Sequence, residues 1–175
     1  MDAIREQLGA DHRVLDDLFC RLLRDVRLLS QRDLRVVWCE LERRLLSHMD
    51  VEEQLLFPML EAGHHAAVER ARSDHTRIRG LACALGIAIE LNTVREPAIK
   101  DLICVLHQHA EREDRALYRL ACAHAPGLVQ CRVTASLRAA GRAAHEAAAK
   151  TVAHRSGSHD SVLPPGLSAA AIRLQ

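Results

Sequence analysis

The sequence predicts an all-α protein: an up-down-up-down four-helix bundle with a di-metal site in its core, followed by an Ala-rich C-terminal extension. Three observations carry this. Aromatic residues make up only 2% of the 175 residues while hydrophobic residues make up 49%, so Leu, Ile, Val and Ala must build the core, as in helical bundles. Four segments place apolar residues at steps of three and four, with short breaks between them. One polar constellation occurs twice, and its members fall within the apolar stripes.

The first helix, from about residue 2 to 29, sets Leu8, His12, Leu15, Phe19, Leu22, Leu23 and Val26 on one face. After a break at Ser30-Gln31, with Ser30 a candidate N-cap, the stripe resumes as Leu34, Val37, Leu41, Leu45, His48, Glu52, Leu55 and Leu56. Pro58 removes a helical hydrogen bond, which predicts a kink or loosening just past Glu52, and Gly63 supports a turn. The third helix, residues 66–91, presents His75, Ile78, Ala82, Leu85 and Ile89, with Gly80 and Gly86 as points of close helix contact. Asn92-Thr93 makes a turn, Pro97 suits the first turn of the fourth helix, and Ile99, Leu102, Leu106, His109, Glu113, Leu117 and Leu120 form its buried face.

These segments define a bundle over residues 1–124, closed by Pro126-Gly127. In the remainder, 125–175, an Ala-rich stretch from 128 to about 154 is a candidate fifth helix with Val129, Val133 and Leu137 on one side. Residues 155–175 have turn formers and little periodicity, and are expected to be mostly disordered or loosely docked. The first 124 residues carry 18 basic and 21 acidic side chains and the last 51 carry six and two, so the extension is mildly basic, and a solvated tail is the simpler expectation.

Charge also bounds the partners. The net charge is +1 with both signs interspersed, so nothing points to nucleic acid. No window approaches the run of about 18 apolar residues that a membrane span needs. Six cysteines show no Cys-x-x-Cys spacing, and the chain begins without the apolar core of a signal peptide. Free thiols, buried or half-buried between helices in a reducing cytoplasm, are the expectation.

The duplicated constellation is Asp11-His12 with His48 and Glu52, answered by Asp74-His75 with His109 and Glu113. The two histidines lie 36 positions apart in the first half and 34 in the second. Neighbours repeat too: Phe57 is five residues past Glu52, and Tyr118 five past Glu113. On a helix, His and Glu four apart differ by about 40° in azimuth and about 6 Å in rise, so both leave one face and converge on one ion. Imidazole with carboxylate suits iron, manganese or zinc, and carboxylates bridge two metals where imidazoles do not. Burying four imidazoles and two carboxylates without an ion would leave unpaired polar atoms, each costing roughly 1–3 kcal/mol. The metal ligands predicted are therefore His12, His48, Glu52, His75, His109 and Glu113, in a two-metal centre.

His107 and Glu111 form a second His-x-x-x-Glu two residues out of phase, which rotates them about 200° away from the stripe and toward solvent. Ferritin-like di-iron bundles need Glu-x-x-His on two helices, and the one match, Glu61 to His64, sits at a helix end without companion glutamates. A single-zinc hydrolase fits poorly, since there is no His-Glu-x-x-His.

With these residues in view, the chain resembles the hemerythrin-like domains, the HHE cation-binding group, across roughly residues 4–124. The segments DHRVLDDLF, SHMDVEEQLLFPML, SDHTRI and HQHAEREDRALY follow that family's order; residues 125–175 show no counterpart. The resemblance implies two iron ions, with manganese as the alternative metal. His12 and His48 would hold one, His75 and His109 the other, and Glu52 and Glu113 would bridge them beside an oxo or hydroxo group. That leaves one open position on each metal. The family's oxygen carriers have a further histidine one turn after the first on the third helix, and here that place is Arg79. Glu53 or Asp114 is the substitute donor to look for, although solvated acids are the simpler expectation. Asp11 and Asp74 are candidate supports for the ligand histidines. The departure at Arg79 favours a small diatomic or peroxide ligand over reversible oxygen carriage. The expected activity is binding or turnover of O2, H2O2 or NO under oxidative or nitrosative stress, catalase- or peroxidase-like if enzymatic. The alternative is a non-enzymatic iron sensor or donor, including a role in iron–sulfur cluster repair, with a protein partner that the sequence does not specify.

Overall fold

Helix α1 runs Ala3–Asp25, α2 Gln31–Val51, α3 Phe57–Glu90, α4 Glu96–Arg112, α5 Tyr118–His124 and α6 Gly127–Ser156 in the computed structural model. It describes residues 3–156; the expectation for the tail falls mainly on residues outside that range. Helix α2 passes into α3, and α4 into α5, through five-residue π-helical turns at Glu52–Leu56 and Glu113–Leu117. Among the described residues there is no strand, and no helix is long and apolar enough to cross a membrane.

Local chemistry sets the breaks. Ser30 Oγ accepts the Asp33 N–H at 3.2 Å and caps α2. The loosening expected near Pro58 is the first π turn, and the helical path breaks later, at His64 (φ −138°, ψ 34°), one residue past Gly63. With α3 divided there, residues 3–124 make the four helices of the bundle. Asn92 closes α3 in the left-handed region (φ 55°). The Thr93 N–H bonds the Ala88 carbonyl at 2.8 Å and the Asn92 N–H that of Ile89 at 3.1 Å, a Schellman ending in which Asn stands in for glycine. Pro97 lies in the first turn of α4, where its missing N–H costs nothing.

The apolar core is split in two by a polar layer. One cluster holds Leu15, Leu45, Ile78 and Val105; the other holds Leu8, Leu56, Ala71 and Leu117. Every bundle helix crosses from one cluster to the other through its candidate ligands: His12 on α1, His48 and Glu52 from α2, His75 on α3, His109 and Glu113 from α4.

The two glycines proposed as contact points separate. A Cβ at Gly86 would sit 2.9 Å from Trp38 Nε1, so Gly86 is where α3 meets the buried indole of α2, whereas Gly80 has nothing within 4 Å. Gly86→Ala is expected to destabilise by about 1 kcal/mol, overpacking outweighing the gain in helix propensity. Gly80→Ala is expected to stabilise by about 0.5–1 kcal/mol. Denaturant midpoints of the two variants check this, and equal shifts would refute the contact.

Two expectations are corrected. The cysteines are free but not interior: Cys20, Cys39, Cys83, Cys104 and Cys131 are exposed and Cys122 is partly buried. The five exposed ones fall on the polar faces, off the stripes that pack, while Cys122 packs against the core as a half-buried thiol. The extension is not simply solvated over its described part, because Val133 and Leu137 are buried with Ile4, Leu8 and Val51. Its apolar stripe covers that end of the bundle while Arg132, Arg138 and Arg142 stay exposed.

Candidate metal centre

Each carboxylate of the pair opens a π turn. In an α-helix the residue five ahead lies about 140° around the axis. A turn closed by an i+5 to i bond brings it back over the first residue. The Phe57 N–H bonds the Glu52 carbonyl and the Tyr118 N–H that of Glu113. The aromatic rings therefore return to the ligand face. Phe57 stacks on His75 (5.3 Å between centroids, 26°) and Tyr118 on His12 (5.8 Å, 27°).

All six predicted ligands come together. Potential donor atoms of Glu52, His75, His109 and Glu113 lie within 4.8 Å of one another, and so do those of His12, His48 and Glu113. Glu113 belongs to both groups. Glu52 Oε1 is 3.5 Å from His48 Nε2 and its Oε2 3.2 Å from His75 Nε2. Glu113 Oε2 is 3.1 Å from His109 Nε2 and 3.5 Å from His12 Nε2, and Oε1 is 3.7 Å from His75 Nε2. Each carboxylate thus faces imidazoles from both halves of the chain. A third acidic group, Glu61, His65 and Glu69, sits at the surface and offers no comparable enclosure.

Acids gripped by arginines face the outward nitrogens of three ligand histidines, two of them within hydrogen-bond distance. His48 Nδ1 donates to Asp11 Oδ2 at 2.9 Å, and Arg44 binds the other Asp11 oxygen. His75 Nδ1 donates to Glu53 Oε1 at 2.7 Å, and Arg79 reaches the same oxygen at 2.7 Å. His109 Nδ1 is 3.8 Å from Asp74 Oδ2, which Arg112 holds at 2.9 Å. Asp11 therefore supports not the adjacent His12 but His48, the second histidine of its half, whereas Asp74 lies beyond hydrogen-bond distance of His109. Such partners fix the ring and leave Nε2 free for an ion. Glu53 and Asp114, the possible substitute donors, point elsewhere: Glu53 engages the far side of His75, and Asp114 pairs with Arg5 at 2.7 Å. Arg79 clamps Glu53 from outside and offers no donor atom to the centre. His107 faces solvent and pairs with Asp16.

Tyr118 was not foreseen as part of the site. Its buried hydroxyl lies 2.5 Å from Glu52 Oε1, 2.9 Å from Glu113 Oε2 and 3.4 Å from His12 Nε2. The five-residue step from Glu113 was its only signal in the sequence, and that step reads as inward only once the π turn is known.

The crowding of six titratable side chains shifts their proton affinities in opposite directions. Burial, then the neighbouring His48, pushes His12 down to about 3, and burial with His75 and His48 does the same to His109, to about 3. Burial also works against a charged His75, yet hydrogen bonds to Glu113 and Glu52 push it up to about 10. Burial and the adjacent Glu52 carboxylate raise Glu113 to about 7; Glu52 itself is held low by His48 and His75 in spite of burial. Buried Nε2 atoms of His48, His75 and His109, with Glu52 Oε2 and Glu113 Oε1, have no hydrogen-bond partner. Orphaned donor atoms converging on one space fit a metal, which would satisfy them together.

Fold and site together define a helical-bundle metal protein with a buried histidine–carboxylate centre. The sequence profile of the hemerythrin HHE cation binding domain matches residues 3–121, and the chain belongs to that family. No curated protein and no solved structure matches it. Helix α6 lies beyond the matched residues.

Proposed function

We propose that the chain is a non-haem di-iron protein that binds or turns over O2, H2O2 or NO in a response to oxidative or nitrosative stress. The observation that carries this reading is a cavity of about 30 Å3 reaching His12, His48 and His109, walled by Leu15, Phe19, Leu45, Met49, Ile103 and Leu106. A small space with apolar walls suits a diatomic or peroxide ligand. His12 is also the one candidate ligand that is not fully buried.

The donor set of four imidazoles and two carboxylates suits iron, and manganese accepts the same atoms. When bound, a pair of such ions supplies electrons and open positions for a small ligand. The chain supplies the rest. Asp11 and Glu53 hold His48 and His75 in the orientation that presents Nε2, Glu52 and Glu113 span the two halves, and the Leu and Phe walls keep bulk water away from the reacting space.

The test is metal analysis of protein from iron-replete cells, with visible spectra of the reduced protein before and after NO, O2 and peroxide. About two irons per chain and a spectral response saturating with one of these ligands are expected. One zinc or no metal would overturn the di-iron reading. Two irons indifferent to all three ligands would transfer the proposal to the iron sensor or donor.

A further inference from the structure

We propose that Tyr118 Oη is a seventh donor atom of the centre, on the His12 side, and that the two metal positions are therefore chemically unequal. The inference rests on the reading that the six histidines and glutamates hold metal, and adds a ligand that reading does not contain.

Three atoms carry it. His12 Nε2, Glu113 Oε2 and Tyr118 Oη form a triangle with sides of 3.5, 2.9 and 3.4 Å. An ion with bonds of about 2.0–2.2 Å to nitrogen and oxygen spaces adjacent ligands about 3 Å apart, so the triangle has the size of one face of a coordination octahedron. The hydroxyl is buried, and the partners it faces are candidate ligands, Glu52 Oε1 at 2.5 Å included. One O–H supplies one proton and satisfies one carboxylate fully, yet two carboxylates crowd it. An ion placed against the triangle removes that conflict.

The other half of the chain shows what is special here. Phe57 holds the equivalent place five residues past Glu52, stacks on His75 in the same way, and has no oxygen. The duplicated scaffold thus offers phenol to one metal and a hydrocarbon ring to the other. On loading, the phenol O–H bond breaks, an oxygen–metal bond forms, and the proton leaves to solvent with no change of oxidation state. Small-ligand binding is then confined to fewer open positions than the symmetric arrangement provides.

The test uses the full chain, stripped of metal and titrated with zinc, with metal content measured beside the near-ultraviolet difference band of ionised phenol. Tyr118 is the sole tyrosine, so the band belongs to it alone. The expected result is a band that grows with loading and is absent in Tyr118→Phe, a variant of the same shape that loses metal to a chelator roughly tenfold faster or more. A ferric-loaded sample should show a phenolate-to-iron visible band that the variant lacks. Full loading with the phenol band unchanged overturns the assignment while leaving the six-ligand centre standing. Failure to load any metal overturns the centre and this assignment together.

Discussion

Glu113→Ala is expected to empty both metal positions, not one. Glu113 is the residue common to both groups of converging donors, with one oxygen facing His12 and His109 and the other facing His75. Its loss leaves His12 and His48 with Glu52 and Tyr118, and removes the negative charge shared between the two positions. Changes one shell further out in such sites cost 10–100-fold in affinity, so losing a shared ligand should exceed about 100-fold. Metal content after desalting should fall from about two per chain to near zero. The control is His107→Ala, which removes an exposed imidazole of the competing His-x-x-x-Glu and should leave content unchanged. Circular dichroism of both variants checks that the helices persist. Retention of both metals in Glu113→Ala would sink the ligand assignment.

Stripping metal from the native chain is expected to lower the melting temperature by about 10 °C. Any ligand bound only by the folded state stabilises it by RT ln(1 + [L]/Kd), about 4 kcal/mol at a thousandfold excess over Kd. In a chain of this length each kcal/mol moves the midpoint by about 2–4 °C. The stripped protein also keeps six orphaned polar atoms on the candidate ligands inside its core. The sign is therefore fixed: chelator destabilises and restored metal restabilises. In Glu113→Ala the same chelator should shift the midpoint by little, since there is no metal left to remove. A native midpoint insensitive to chelation would show that the polar layer is satisfied in some other way.

The bundle was legible because apolar periodicity, Ser30, Pro97 and Asn92 act locally, and helices express such signals directly. The convergence of the six candidate ligands was legible because imidazoles and carboxylates in phase with leucines turn inward when the stripe packs; the same phase argument put His107 outside. What the sequence hid depends on departures from α-helical geometry or on crossings between helices. Pro58 announced one π turn, but Glu113–Leu117 has no proline, so the inward aim of Tyr118 was invisible. Asp11 was identified as a support without its target, because a contact from α1 to α2 is set by docking and not by adjacency. Glu53 is on the helix face next to Glu52, and only the position of α3 turns it toward His75. The cysteines misled for a related reason: a small apolar side chain off the stripe carries too little burial energy to dictate its place.

The reach of each carboxylate across the two halves bears on how such a centre could arise. Residues 3–62 supply two of the candidate histidines and one of the candidate glutamates, and the second half supplies the same set, but Glu52 faces His75 as well as His48, and Glu113 faces His12 as well as His109. Neither hairpin encloses an ion by itself. Two copies of one ancestral hairpin, docked face to face, would reproduce the whole arrangement, with each copy lending its acid to the other. The short link at residues 91–95 keeps the two halves in one chain, and so allows one to carry a phenylalanine where the other carries a hydroxyl.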